Sequence, residues 1–314
     1  MQFLVTESGR LDSFLSDQNT TLSRNKIQAA IKNGEVTVNE CIITKSSYQL
    51  SKNDIVNFQS SIDNFQSHSD IIAVNQHLTV LYEDDACMVL NKPAGIAVHP
   101  GNAMDSTEET LLSGIRFLFE ERSIPFSEDS VLVHRLDKPT TGCIIVAKTN
   151  NSFSILQKQF EKRTTHKQYL AIVAGVPEHS KATIDAPIGR NLTDRTKMSV
   201  LKTALSREAI TDYEVLDTVD DASLLLCTLH TGRTHQIRVH LSSIHHPLLG
   251  DLSYGSPASE RISEQYAVEG LCLHAWNIGF VSPADHTSCR VEAPLPMTFL
   301  QALHATGLCL TAEN

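Results

Sequence analysis

The chain has 314 residues, 41% of them hydrophobic and 20% charged, which suits two globular domains with apolar material for their cores. A net charge of −10 excludes a uniformly basic coat, and no stretch approaches the roughly 18 apolar residues of a membrane span. The first residues lack a signal peptide's basic start and apolar run, and seven Cys without a CxxC pair argue against a disulfide framework, so the expected compartment is the reducing cytoplasm.

Residues 1–60 predict a small unit. Leu11, Phe14 and Leu15 share a helical face, and so do Ile27, Ala30 and Ile31. Ser23 stands where a cap begins the second helix and Gly34 where a glycine ends it. EVTVNECIIT then alternates as a strand around an Asn39-Glu40 turn. Residues 61–76, rich in Ser, Gln and Asp, read as a linker.

From residue 77 to 314 the chain is dense in strands. LTVLYEDDACMVLNKP predicts a hairpin turning at 83–85. Strand, turn, strand and a further tight turn are expected over VLNKPAGIAVHPGN, with Gly95 and Gly101 at the turns; Lys92 and His99 there line a cleft or simply sit in a solvated turn. Ser106 and Glu109 have capping-box spacing ahead of a helix that faces Leu111, Ile115 and Leu118 inward. Asn150 or Asn151 is expected to cap another, with Phe153, Leu156 and Phe160 on one side. KQYLAIVAG, ASLLLCTLH and LCLHAWNIGF read as strands, and their irregular alternation with helices predicts an α+β fold with a mainly antiparallel sheet and a central cleft.

Two segments combine polar residues with turn formers. Residues 131–133 and 143–147 predict strands, and HRLDKPTTG between them a loop in which Asp137 lies beside His134, Arg135 and Lys138. A carboxylate among cations stays ionised and is available as nucleophile or base; a structural ion pair is the plain alternative. In LHTGRTHQIRVHLSS a strand ends at His230 and a helix is expected from about Arg233, putting Arg233 and Arg238 near its start, where an anion could bind. His230, His235 and His240 are five apart, on different helical faces, and no HExxH or CxxC accompanies them, so no metal is expected. Tyr169 alternates with Leu170 on a strand and could face core or cleft. Phosphate loops, dinucleotide fingerprints and serine-hydrolase elbows are all missing from the sequence. Residues 134–207 carry 13 Lys or Arg against 5 Asp or Glu, a local net of +8 on a chain otherwise at −18. One polyanion-binding site on a repelling body fits that balance, although local imbalance is common.

HRLDKPTTGCIIVAK closely resembles the signature of the RluA family of pseudouridine synthases. NKPAGIAVHPG, KQYLAIVAG, IDAPIGR with RTKMSV, LHTGRTHQIRVHLSSIHHPLLGD, LCLHAWNIGF and APLP follow in the family's order. RLDSFLSD and LSRNKIQAAIKNGEVTVN resemble the small RNA-binding domain named after ribosomal protein S-four. The chain departs from the family pattern at Pro139-Thr140-Thr141 and at Cys143, where an aliphatic residue is usual.

The resemblance implies an RNA uridine isomerase without cofactor or metal. Asp137 is then the catalytic aspartate, Tyr169 the active-site tyrosine and Arg238 the arginine paired with the aspartate. His134, Arg135, Lys92, Lys162, Arg163, Lys167 and Arg233 are expected to contact RNA, as are Arg24, Lys26 and Lys32 of the first unit. Large-subunit rRNA is the expected target, tRNA the alternative, and a non-catalytic RNA-binding assembly factor the competing role. The chain is expected to act as a monomer.

Overall fold

The computed structural model describes residues 1–18, 24–58, 71–99 and 109–310. Ser23, Gly101, Ser106 and most of the linker expected over 61–76 lie outside the described residues. The chain forms two compact units, Met1–Ser69 and Asp70–Asn314.

In the first unit, strands β1 (Gln2–Leu4) and β2 (Gly9–Arg10) lead into helices α1 (Leu11–Gln18) and α2 (Arg24–Lys32). Strands β3 (Val36–Val38), β4 (Cys41–Ile42), β5 (Gln49–Leu50) and β6 (Ile55–Phe58) follow. They make a sheet in the order β1-β6-β3-β4 and a separate β2–β5 pair. The predicted helical faces do close the core: Leu11, Leu15, Ile27 and Ile31 pack on Val36, Val56 and Phe58. Gly34, at φ +79°, ends α2 by donating to the Ile31 carbonyl, the left-handed turn a glycine makes cheaply. Asn39 and Glu40 both take positive φ in the β3–β4 turn, the geometry that matches the twist of a tight hairpin.

The second unit begins its sheet with the hairpin β7 (Thr79–Glu83) and β8 (Cys87–Lys92). Helix α3 (Leu111–Glu121), strand β9 (Thr141–Ala147), helix α4 (Asn150–Glu161) and strand β10 (His166–Ala174) follow. Next come β11 (Lys181–Asp185), β12 (Ile188–Arg190), β13 (Met198–Val200), β14 (Ile210–Thr218) and β15 (Ala222–Leu229). Helices α5 (Gln236–Ser243) and α6 (Pro257–Gln265), strands β16 (Leu273–Val281) and β17 (Ser288–Glu292) and helix α7 (Met297–Thr306) complete it.

The large sheet runs β11-β14-β15-β10-β16-β9-β8-β7, with β17 added to β16. Its neighbours are antiparallel except β16 and β9. Both faces are covered, which is why the central strands read as continuous apolar runs. Leu170, Ile172 and Leu224 face α7, while Tyr169, Ala171, Val173 and Leu225 share the opposite face with α3 and α5. The segment before α3 is fastened to it: Arg116 donates to the Ile71 carbonyl, and the Val74 amide to that of Ser113.

Several local expectations are corrected. Residues 131–133 form no strand, only a bridge between Leu132 and Val146. The second strand expected after the KPAG turn shrinks to a bridge between Ala97 and Thr110. Helix α3 starts at Leu111 behind Thr110, so Glu109 precedes the helix. Thr149, not Asn150 or Asn151, caps α4 through a reciprocal pair with Ser152, worth about 1 kcal/mol. Helix α5 begins at Gln236, three residues later than expected, because the Gln236 side chain accepts from the Arg233 amide and the Thr231 hydroxyl and holds 231–235 as a turn.

Candidate active site

Asp137 is held on a loop clamped from beneath. The Lys92 side chain is fully buried, and its ammonium donates to the carbonyls of Pro93, Lys138 and Thr140 at 2.8, 3.0 and 2.8 Å. Three acceptors use all three N–H bonds, a pattern only the protonated amine satisfies. Burial nevertheless pulls Lys92 down to about 8, against the attraction of Asp137. Two of those carbonyls flank Pro139, so the lysine fixes the turn that carries Asp137. The Gly95 amide adds a bond to the Lys138 carbonyl. Lys92 is thus corrected from an RNA contact to an internal clamp: its charge has no surface.

Arg238, 6% exposed, projects from α5 toward Asp137 with Nη1 3.3 Å from Oδ2. Its firmer partner is Asp251, which accepts from Nε at 2.8 Å and Nη2 at 2.7 Å. Asp251 is itself anchored by the Ser253 and Tyr254 amides, and the Tyr254 ring lies 4.9 Å from the guanidinium carbon. One arginine between two carboxylates leaves the trio at −1. Burial lowers the Arg238 pKa, but bonding and attraction to Asp251 and then Asp137 outweigh it, and the net shift is upward. Asp137 therefore meets the guanidinium through one nitrogen and is not locked in a bidentate pair.

His235 caps α5 with φ +57° and bonds through Nδ1 to the Tyr254 hydroxyl at 2.7 Å. That hydroxyl also accepts from the Met198 amide, and Nε2 of the same imidazole lies 3.9 Å from Asp137 Oδ1. His240 is buried between the Thr211 hydroxyl and the Ala186 carbonyl, and His230 pairs with Asp212. Each histidine of the series thus has its own separate partner; among the described residues no His, Cys, Asp and Glu gather as metal ligands.

Tyr169, 8% exposed, stands on β10 in the wall of the same hollow. Burial and then the Asp137 charge raise its phenol well above the ordinary range, so it stays protonated at neutral pH. The hollow measures about 680 Å³ and brings together Asp137, Tyr169, Arg238, His134, Arg135 and the cations Arg163, Lys167, Arg207 and Arg233. Lys167, 9% exposed, is lowered to about 8 by burial, then by Arg163 and Arg233. The Arg163 guanidinium meets Glu208 at 2.5 Å, and Arg233 donates to the Glu208 carbonyl.

A carboxylate, an arginine and a tyrosine at a cationic hollow fit several anion chemistries, and comparison with known proteins narrows them. A family model described as RNA pseudouridylate synthase matches residues 86–243, and an S4 domain model matches residues 9–56. An uncharacterised RNA pseudouridine synthase of Synechocystis sp. is 35% identical over 314 residues, 96% of this chain and 93% of that protein. The chain belongs to the RNA pseudouridylate synthase family. The ribosomal large subunit pseudouridine synthase D of Nitrosomonas europaea is 37% identical over 94% of this chain and 84% of its own. The structure of human RNA pseudouridylate synthase domain containing 4 superposes with a TM-score of 0.59 at 27% identity, over 74% of this chain and 94% of that one.

Within this synthase, the fold gathers most of the residues singled out from sequence and sets others apart. His134 lines the hollow, but its Nε2 accepts the Ile145 amide at 2.8 Å, its ring stacks on Phe160, and burial lowers it to about 3. It is a neutral structural ring, not a charged contact. Lys162, the exposed C-cap of α4, is not in the hollow's lining. Lys32 is exposed at the end of α2; the side chains of Arg24 and Lys26 lie outside the described residues. Sequence reasoning missed Asp251 and Tyr254, whose signal was the DLSYG stretch 13 to 16 residues after Arg238, and Arg207, which is separated from the hollow's other cations along the chain.

Proposed function

We propose that this synthase isomerises uridine in large-subunit ribosomal RNA, with Asp137 as the catalytic carboxylate. The observation that carries the reading is the placement of Asp137: its side chain is 15% exposed, at a nucleoside-sized hollow, beside a guanidinium already fixed by Asp251. The reaction breaks the glycosidic C–N bond, turns the uracil and joins its carbon 5 to the sugar. No redox change or group donor is needed. Asp137 acts at the sugar carbon, at the base, or as a base on the ribose; its accessible charge suits all three. Tyr169 stacks on the uracil, and its protonated phenol hydrogen-bonds or relays a proton; it is no phenolate base.

A stacked uridine cannot reach Asp137, so the target is unstacked or flipped, at a cost of a few kcal/mol that is least in a loop. Arg135, Arg163, Lys167 and Arg233 hold backbone phosphates against that cost. We assign residues 1–60 to tethering structured RNA, 61–76 to a linker and 77–314 to catalysis, with the chain acting as a monomer. The S4 unit and the relative named for the ribosomal large subunit favour rRNA over tRNA.

The test is to map pseudouridines in rRNA and tRNA from cells lacking this gene, then restore wild type or Asp137→Asn. A large-subunit site lost on deletion and regained only with wild type is the expected result. A lost tRNA site would redirect the target, and restoration by Asp137→Asn would remove the catalytic assignment.

A further inference from the structure

A second hollow, of about 730 Å³, adjoins the first: Arg163, Leu229 and His230 line both. Its chemistry is different. Around the first hollow six cations, Arg135, Arg163, Lys167, Arg207, Arg233 and Arg238, outnumber the acids Asp137 and Glu161. The second has Arg163 at its border, an acid, Asp212, in its wall, and otherwise Thr164, Thr165, Thr183 and Thr228 with His166 and His230, over Ile210 and Leu229. A phosphate entering it would meet the Asp212 carboxylate. A nucleobase would meet a carboxylate, hydroxyls and a flat imidazole.

The polar groups are built rather than incidental. Asp212 accepts from the Thr183 hydroxyl at 2.7 Å and from His230 Nε2 at 2.6 Å, one bond on each oxygen. An ionised carboxylate has about four lone-pair sites, so each oxygen keeps one for a ligand N–H. The two bonds lower the Asp212 pKa against burial and keep it an acceptor. Both side chains remain nearly half exposed, His230 at 48% and Asp212 at 41%. The Thr165 hydroxyl, on a residue 7% exposed in the same wall, has no hydrogen-bond partner among the described residues. Arg163, on the shared border, holds φ +58° just past α4, a conformation that favours glycine. Its guanidinium, paired with Glu208, stands where the two hollows meet.

We infer that the second hollow is a base-reading subsite for a nucleotide flanking the target. Asp212, oriented by His230 and Thr183, accepts from the exocyclic amino group of adenine, cytosine or guanine, and the His230 imidazole offers a stacking face. Uracil, whose one edge donor, N3–H, lies between two carbonyls that would face the carboxylate, is disfavoured. This rests on the proposed reading of the first hollow as the reaction site.

The test uses the full chain and a pool of RNA hairpins with one loop uridine and both flanking nucleotides randomised, product being read as pseudouridine per sequence. Wild type should prefer an amino-bearing base over uracil at one flanking position by about tenfold in kcat/KM, the ratio that one base contact supports. Asp212→Asn and Thr183→Val should flatten that preference to within about threefold while keeping the best hairpin's kcat within the same factor. Indifference of wild type at both flanking positions would overturn the subsite, as would an unchanged preference in both variants. No pseudouridine from any hairpin, in a protein that binds the pool, would instead fail the reading of the first hollow. Asp137→Asn provides that second outcome as a control.

Discussion

Asp137 is the proposed catalytic residue, and its surroundings separate charge from structure. Its carboxylate supports no buried network of its own; Arg238 is fixed chiefly by Asp251. Asp137→Asn should therefore melt within about 0.5 kcal/mol of wild type, as partly exposed substitutions do. It should form no measurable pseudouridine, and paired thermal melts and single-turnover assays check both halves. Tyr169→Phe keeps the ring and loses the hydroxyl. If stacking dominates, turnover falls by no more than about tenfold, whereas a proton-relay role predicts about 10²-fold or more. Lys167 offers a pH signature. Its folded pKa is lowered to about 8 from 10.5, so its positive charge is complete below that value and lost as pH rises through it. The dissociation constant for a short single-stranded RNA should rise between pH 7 and 9, and Lys167→Arg should keep it flat, since a guanidinium does not titrate there.

Elements deliver these residues by register. Strand β10 alternates Tyr169, Ala171 and Val173 toward α3 and α5, and Leu170 and Ile172 toward α7, so a one-residue slip would bury the tyrosine away from the hollow. Strand β9 meets β16 in the sheet's parallel pairing at Thr141 and Gly142, directly after the Asp137 loop. Gly142 has φ +108°, and a Cβ there would lie 2.2 Å from the Ala275 carbonyl oxygen. Gly142→Ala should cost roughly 2–4 kcal/mol in chemical denaturation and displace the loop, lowering kcat more than RNA affinity. Helix α5 is fixed by buried polar bonds: Gln236 donates to the Ile210 carbonyl and the Thr211 hydroxyl, and His240 bonds the same hydroxyl. Those bonds carry Arg238 on a rigid support, as a positioned charge requires.

At the scale of the molecule, the two units have separate cores, the first closed by its own helices and sheet. Removing residues 1–58 should leave turnover on a short hairpin within about threefold while weakening binding to structured RNA at least tenfold, the gain a tether supplies. Fluorescence anisotropy on both RNAs checks it; equal loss on both would show that the first unit serves the synthase's folding instead. Among the described residues no helix is long and apolar enough to cross a membrane.

The sequence alone determined the local things. Helical faces at Leu11, Leu15, Ile27 and Ile31, the turns at Gly34 and Asn39, the apolar strands and the polar loop around Asp137 each follow from spacing and backbone chemistry within a few residues. Motif order also pointed to the family and to Asp137, Tyr169 and Arg238. Tertiary structure decided what depends on distant partners. It turned Lys92 from a surface cation into a buried clamp and gave Arg238 a second aspartate. It took the charge from His134 and assembled cations from residues 135 to 238 around one hollow. Burial and pairing are set by what lies across the sheet, which no local pattern encodes. For the same reason Tyr169 met the cavity rather than the α7 side; the Thr149 cap of α4, by contrast, rests on Ser152 three residues on and is a local pairing.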